Sequence, residues 1–78
     1  MDSHLERFLH YLEVEKNHSP HTVAAYRRDL TRFLEHLGRS LEQARPHDVT
    51  AFVAHEHARG LSPRSLARML SSVRRLYT

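Results

Sequence analysis

Seventy-eight residues with 40% apolar content provide for one small domain and leave no room for a second core. The chain has no cysteine, which excludes both a disulfide framework and a thiolate metal site. No apolar run is longer than Ala51 to Ala54, too short for a membrane span or a signal-peptide core. A cytosolic chain without a membrane partner is therefore expected. The formal net charge is +3, and its distribution is uneven. Residues 1–38 carry five basic and six acidic side chains, a balance of −1; residues 39–78 carry seven basic and three acidic ones, a balance of +4. The second half is the expected contact surface for a polyanion.

The first helix is predicted near residues 4–16. Ser3 and Glu6 stand in the S-x-x-E spacing of a capping box, and Leu5, Phe8, Leu9 and Leu12 form its apolar stripe. Tyr11 and Val14 lie round its side, where a second surface or a neighbour would touch. Asn17 and His18 close it. The second helix, predicted over 20–37, opens with Ser19-Pro20 and carries Val23, Tyr26, Leu30, Phe33, Leu34 and Leu37 in register. Gly38 follows at the position where a left-handed residue commonly ends a helix. Its outward face holds His21, Ala24, Ala25, Arg28 and Arg32.

Arg39 to Arg45 reads as a polar connection with Leu41 tucked inward. Pro46 and Asp48 suit the start of a third helix near 47–59, whose stripe is thin: Val49, Phe52 and Val53, with Glu56 where a fourth apolar residue would be expected. Arg59-Gly60 ends it. Leu61 and Ser62 then lead into the last helix, predicted over 63–77 with Pro63 at its first position. There Leu66, Met69, Leu70, Val73, Leu76 and Tyr77 share one side, while Arg64, Arg68, Ser71 and Arg75 fall opposite. From Arg59 onward there are five arginines and no acid, and a single-sign face of this kind points to an anionic partner. Arg68 and Arg75 are expected to point to solvent. The fold class expected is all-α, with no strand, and a core of Phe8, Leu12, Tyr26, Leu30, Phe33, Phe52, Leu66, Leu70 and Val73.

The chemistry-bearing residues do not form an active site. Eight histidines are present, but His18 with His21 and His55 with His57 both miss the i, i+4 spacing of a helical metal pair, and H-E-x-x-H is absent. No metal site and no cofactor are expected, and no hydroxyl or carboxylate stands in a nucleophile-and-base pattern. The third helix, the Gly60-Leu61-Ser62 turn and the fourth helix have the outline of a helix-turn-helix, although Glu56 stands where that motif wants a small residue.

Two longer strings carry a family resemblance. The first is Phe8-Leu9-x-Tyr11-Leu12-x-x-Glu15 with His18-Ser19-Pro20-x-Thr22-Val23-x-x-Tyr26-x-x-Asp29-Leu30-x-x-Phe33. The second is Asp48-Val49, Arg59-Gly60-Leu61-Ser62 and Ser65-Leu66-Ala67-Arg68-x-Leu70-Ser71-x-Val73-Arg74. Together they resemble the N-terminal core-binding domain of tyrosine recombinases, most closely those of the Xer type. The resemblance implies a compact SAM-like bundle of four helices, arranged as two crossed helical hairpins, that grips a recombination half-site. By the same resemblance the second and fourth helices lie toward the major groove of double-stranded DNA. It assigns DNA contacts to Thr22, Arg27 and Arg28 on the second helix, and to Arg64, Ser65, Arg68, Ser71, Ser72 and Arg75 on the fourth.

The other implied partners are the catalytic domain of the same parent chain and a neighbouring protomer met through the first helix. The family's catalytic residues belong to that second domain. Residues 1–78 are expected to be a DNA-binding domain without enzymatic activity, with Thr78 interrupting the last helix where the family continues. Two alternatives stand beside this reading: a SAM-type protein-interaction module and a helix-turn-helix regulator. The acid-free last helix argues against the first, and the Ser-Pro-x-Thr-x-x-x-Tyr start of the second helix argues against the other.

Overall fold

The first turn of a helix leaves backbone N–H groups without partners, and the residue just before it decides whether they are satisfied. The computed structural model describes residues 2–77. They form α1 (Ser3–Val14), α2 (Pro20–Leu37), α3 (Pro46–Ala58) and α4 (Pro63–Leu76), with a short 3-10 turn at Leu41–Gln43 between α2 and α3. No strand occurs among the described residues. Ser19 Oγ accepts the Thr22 N–H at 3.2 Å, and Ser62 Oγ accepts that of Ser65 at 3.2 Å. Proline opens α2, α3 and α4, where no backbone N–H is required. Gly38 ends α2 at φ +72°, a left-handed conformation that costs glycine nothing.

The start of α1 differs from the expectation. Asp2, not Ser3, is the cap: its Oδ1 accepts the N–H groups of His4 at 2.8 Å and Leu5 at 3.3 Å. Glu6 is free of the cap and pairs with Arg27 instead. The helix closes at Val14, two residues early, because the chain must reverse through Asn17, which adopts φ +53°. The 3-10 turn lies within the stretch read as a plain connection.

The core is a single cluster. Leu5, Leu9 and Leu12 of α1 meet Leu30, Phe33 and Leu37 of α2, Phe52 of α3, and Met69, Val73 and Leu76 of α4, with Leu41 completing the cluster. The rings of Phe33 and Phe52 meet edge to face with centroids 5.2 Å apart. Five of the expected core residues are fully buried: Leu12, Leu30, Phe33, Phe52 and Val73. Phe8, Tyr26, Leu66 and Leu70 are only half-buried. Leu66 and Leu70 line a groove with Val49 and Val53 of α3, a helix too thin in apolar residues to cover them. α2 packs against each of the other three helices and is the spine of the bundle.

Leu41 is held from both ends of the chain. Its N–H donates to Asp2 Oδ2 at 3.0 Å, and its carbonyl accepts the Tyr77 hydroxyl at 2.5 Å. Asp2 thus caps α1 and also pins the 3-10 turn. The Leu41 N–H, outweighing a desolvation penalty and helped by the His4 and Leu5 N–H groups, holds the Asp2 carboxyl below the usual carboxylate range. Burial pushes the Tyr77 phenol up to about 12. A depressed carboxylate contributes its stability above the unfolded pKa, near 4, and loses it as the pH falls further. Asp2→Ala should therefore cost about 1 kcal/mol at pH 7. Urea unfolding should show the gap between parent and variant closing at pH 3. A gap of the same size at both pH values would contradict the charged cap.

Candidate nucleic-acid interface

α2 and α4 lie against each other, and the residues between them decide what their outer surface presents. Asp29 of α2 is almost wholly buried, at 1% exposure. A carboxylate in that position requires a cation and hydrogen bonds. Arg68 of α4 supplies both: its Nε donates to Oδ2 and its Nη2 to Oδ1, each at 3.1 Å. Ser72, one turn further on, has its single hydroxyl proton shared between Asp29 Oδ2 at 3.3 Å and the Arg68 carbonyl at 3.1 Å. Above this network runs a shallow groove lined by His21, Thr22, Ala25 and Tyr26 from α2, and by Arg68 and Ser71 from α4. Ala25 and Thr22 on one wall and Ser71 on the other are small, and between the larger His21, Tyr26 and Arg68 they leave room for an incoming backbone or base edge.

The structure divides the expected contact residues into three groups. Thr22, Arg68 and Ser71 come together in the groove. Arg28, Arg64 and Arg75 are exposed, and among the described residues no ion pair engages any of them. Arg64 and Arg75 are eleven residues apart, about 16 Å along the axis of α4. The others are tied into the fold. Arg27 makes a two-pronged pair with Glu6 of α1 at 2.9 and 3.1 Å, which raises its own pKa and lowers that of Glu6. Ser72 is 5% exposed and, with Asp29, lies in the floor of the groove, where its hydroxyl is turned to the carboxylate. Ser65, half-buried, accepts a hydrogen bond from the capping Ser62 hydroxyl at 3.2 Å.

Two expectations are corrected by these pairings. Arg68 does not point freely into solvent; it is half exposed and locked to Asp29. Arg32, read as part of an outward basic face, turns to α3, where its Nε donates to Glu56 at 2.8 Å. Arg59 donates to the other oxygen of Glu56 at 2.7 Å, so this buried acid is satisfied from two sides. That answers why an acid stands in the stripe of α3: it is a polar rivet between α2, α3 and the turn before α4. The sequence carried the signal as an apolar register broken at Glu56. Asp29 gave a weaker one, since it lies beside the stripe and not within it.

A second groove continues the first. It shares Tyr26 and Ser71 and runs past Arg75 to Phe8, Tyr11 and Lys16 of the α1 side. The Lys16 ammonium sits 5.9 Å from the centre of the Tyr11 ring. Elsewhere, the rings of His36 and His55 meet at a tilt of 36° with centroids 4.9 Å apart. Among the described residues, no group of three or more histidine or acidic side chains is arranged to hold a metal ion. Among the same residues, no helix is long and apolar enough to cross a membrane.

Comparison with known proteins places the chain in a family. Residues 5–78 match the family model for the phage integrase N-terminal SAM-like domain. The chain is similar to the tyrosine recombinase XerC of Pseudomonas syringae pv. syringae, 42% identical over 81 residues, covering 99% of this chain and 27% of that protein. It is 44% identical over 79 residues to XerC of Chromobacterium violaceum, covering 99% of this chain and 26% of that one. The tyrosine recombinase XerD of Listeria monocytogenes is 37% identical over 82 residues, covering 99% of this chain and 28% of that protein. The chain thus spans about a quarter of the length of the curated relatives it matches. No solved structure matches it at a significant level.

Proposed function

The chain belongs to the phage integrase N-terminal SAM-like domain family, and from that premise we propose that residues 1–78 are the DNA-binding domain of a site-specific tyrosine recombinase. It grips double-stranded DNA through α2 and α4. The observation that carries this reading is that Arg28 on α2 and Arg64 and Arg75 on α4 are exposed and engaged in no ion pair among the described residues, while Thr22, Arg68 and Ser71 of the same two helices share a groove. Unpaired guanidinium groups at such spacing neutralise phosphates and set the register of the domain on the duplex, while groove residues stand close enough to meet base edges.

Strand breakage and joining belong to another part of the parent protein, which is a partner of this domain and not an activity of it. The exposed Tyr11 and Val14 on α1 offer an apolar contact for a neighbouring protomer on the same DNA. The setting is the cytoplasm, at the nucleoid.

Duplex binding measured by fluorescence anisotropy across a salt series tests the reading. Three neutralised phosphates give a log–log salt slope of about −3, and the affinity expected of a mainly electrostatic contact is about 10⁻⁴–10⁻⁶ M. Arg68 adds nothing to that slope, because Asp29 already balances its charge. An absence of duplex binding even at low salt would overturn the proposal in favour of a protein-interaction module.

A further inference from the structure

We infer that Arg68 reads a base, with Asp29 as the residue that positions it, and that the base is a guanine presented in the major groove. The inference rests on the DNA-binding reading above and adds what that reading does not contain: a division of labour among the arginines.

The geometry of the pair is the starting point. A guanidinium has five N–H groups, and Asp29 takes two of them through Nε and Nη2, leaving three. Those three include one N–H on each terminal nitrogen, and these two point parallel to each other, away from the carboxylate. This end-on fork matches the two acceptors, O6 and N7, that guanine displays in the major groove. Adenine offers a donor at the corresponding place, and pyrimidines offer no pair of acceptors.

Charge argues in the same direction. Asp29 is buried and ion-paired, so the pair as a whole is neutral and has little net attraction for a phosphate. A phosphate approaching Arg68 would also have to compete with the carboxylate beside it. A guanine edge is neutral and meets no such repulsion. Arg28, Arg64 and Arg75 carry their full charge outward and are the phosphate contacts. Rigidity is the third argument. Ser72 holds the carboxylate, and the carboxylate holds the guanidinium, so the fork is fixed before DNA arrives and little side-chain entropy is lost on contact. Ala25 and Ser71, beside it in the groove, leave the approach open.

The experiment is selection of the 78-residue chain on a randomised duplex pool, with salt slopes measured on one fixed duplex. The parent should enrich guanine at one position, with discrimination there of roughly 5- to 150-fold, the range of a good bidentate contact. Arg68→Lys keeps the ion pair and the charge but loses the fork, so it should bind with an unchanged slope and no preference at that position. The double variant D29N/R68M removes both charges together and leaves no unpaired buried carboxylate. It too should keep the parent slope and lose the preference. D29N alone frees the charge of Arg68 and should steepen the slope by about one unit.

Two results would overturn the inference: a double variant that loses a unit of slope while its selected sequences match the parent's, or a parent that binds with the expected slope but selects no base. The second would leave the DNA-binding reading standing. Failure of that reading shows separately, as a parent that recovers no duplex and has no measurable slope.

Discussion

Leu30→Ala should remove about 3–5 kcal/mol of stability, against a total of about 4–12 kcal/mol for a domain of this size. Leu30 is wholly buried on α2, the helix that touches each of the other three, so a void there opens beneath the entire bundle. The α4 counterpart is different. Leu70 is half-buried on the open α3–α4 groove, where solvent already reaches the site and surrounding side chains can close in. Leu70→Ala should cost about 2 kcal/mol or less, at or below the foot of the range for such truncations. Denaturant midpoints of the two variants, compared at equal slope of the transition, check the contrast. Equal losses would mean that the core is not centred on α2.

The second large effect comes from a charge. Arg68→Ala should destabilise the fold by about 3 kcal/mol, the lower end of what an orphaned buried charge costs, because half of Arg68 lies in solvent. The loss is not one of packing but of compensation: Asp29, at 1% exposure, would keep its carboxylate in the interior with only Ser72 to bond it. D29N/R68M should therefore be markedly more stable than Arg68→Ala, although it carries one more substitution. Thermal or denaturant unfolding of the two variants decides this. If the double variant is the less stable of the two, the Asp29–Arg68 pair is not what joins α2 to α4.

These two cases show which parts of the molecule were legible in the sequence. Apolar periodicity located all four helices to within two residues, because a stripe recurring at 3.6 residues leaves a strong trace even in short segments. Ser19-Pro20, Ser62-Pro63 and Gly38 marked ends that local backbone chemistry alone determines. The cap of α1 was misplaced for a physical reason. Asp2 and Ser3 are both competent caps, and Asp2 prevails because its second oxygen also binds Leu41, 39 residues away. No local pattern contains that contact. Periodicity likewise placed Arg68 and Arg32 on outward faces. It cannot say that a long side chain bends back to a buried acid on the neighbouring helix. The family resemblance rested on order and spacing along nearly the whole chain, and the match over residues 5–78 agrees with it.

The division of the arginines into bound and unbound is what the DNA-binding account rests on, and one comparison tests it most directly. The salt dependence of duplex binding should be measured for the parent chain, for the triple variant R28A/R64A/R75A, and for Arg7→Ala, which removes an exposed α1 arginine loosely paired with Glu42 at 3.5 Å. The account predicts a slope of about −3 for the parent, a loss of two to three units in the triple variant, and little change in Arg7→Ala. Both variants should retain the parent's fold, since none of the four side chains is buried. A slope that falls as much with Arg7→Ala as with the triple variant would mean that DNA responds only to total charge, and would contradict a binding face built by α2 and α4.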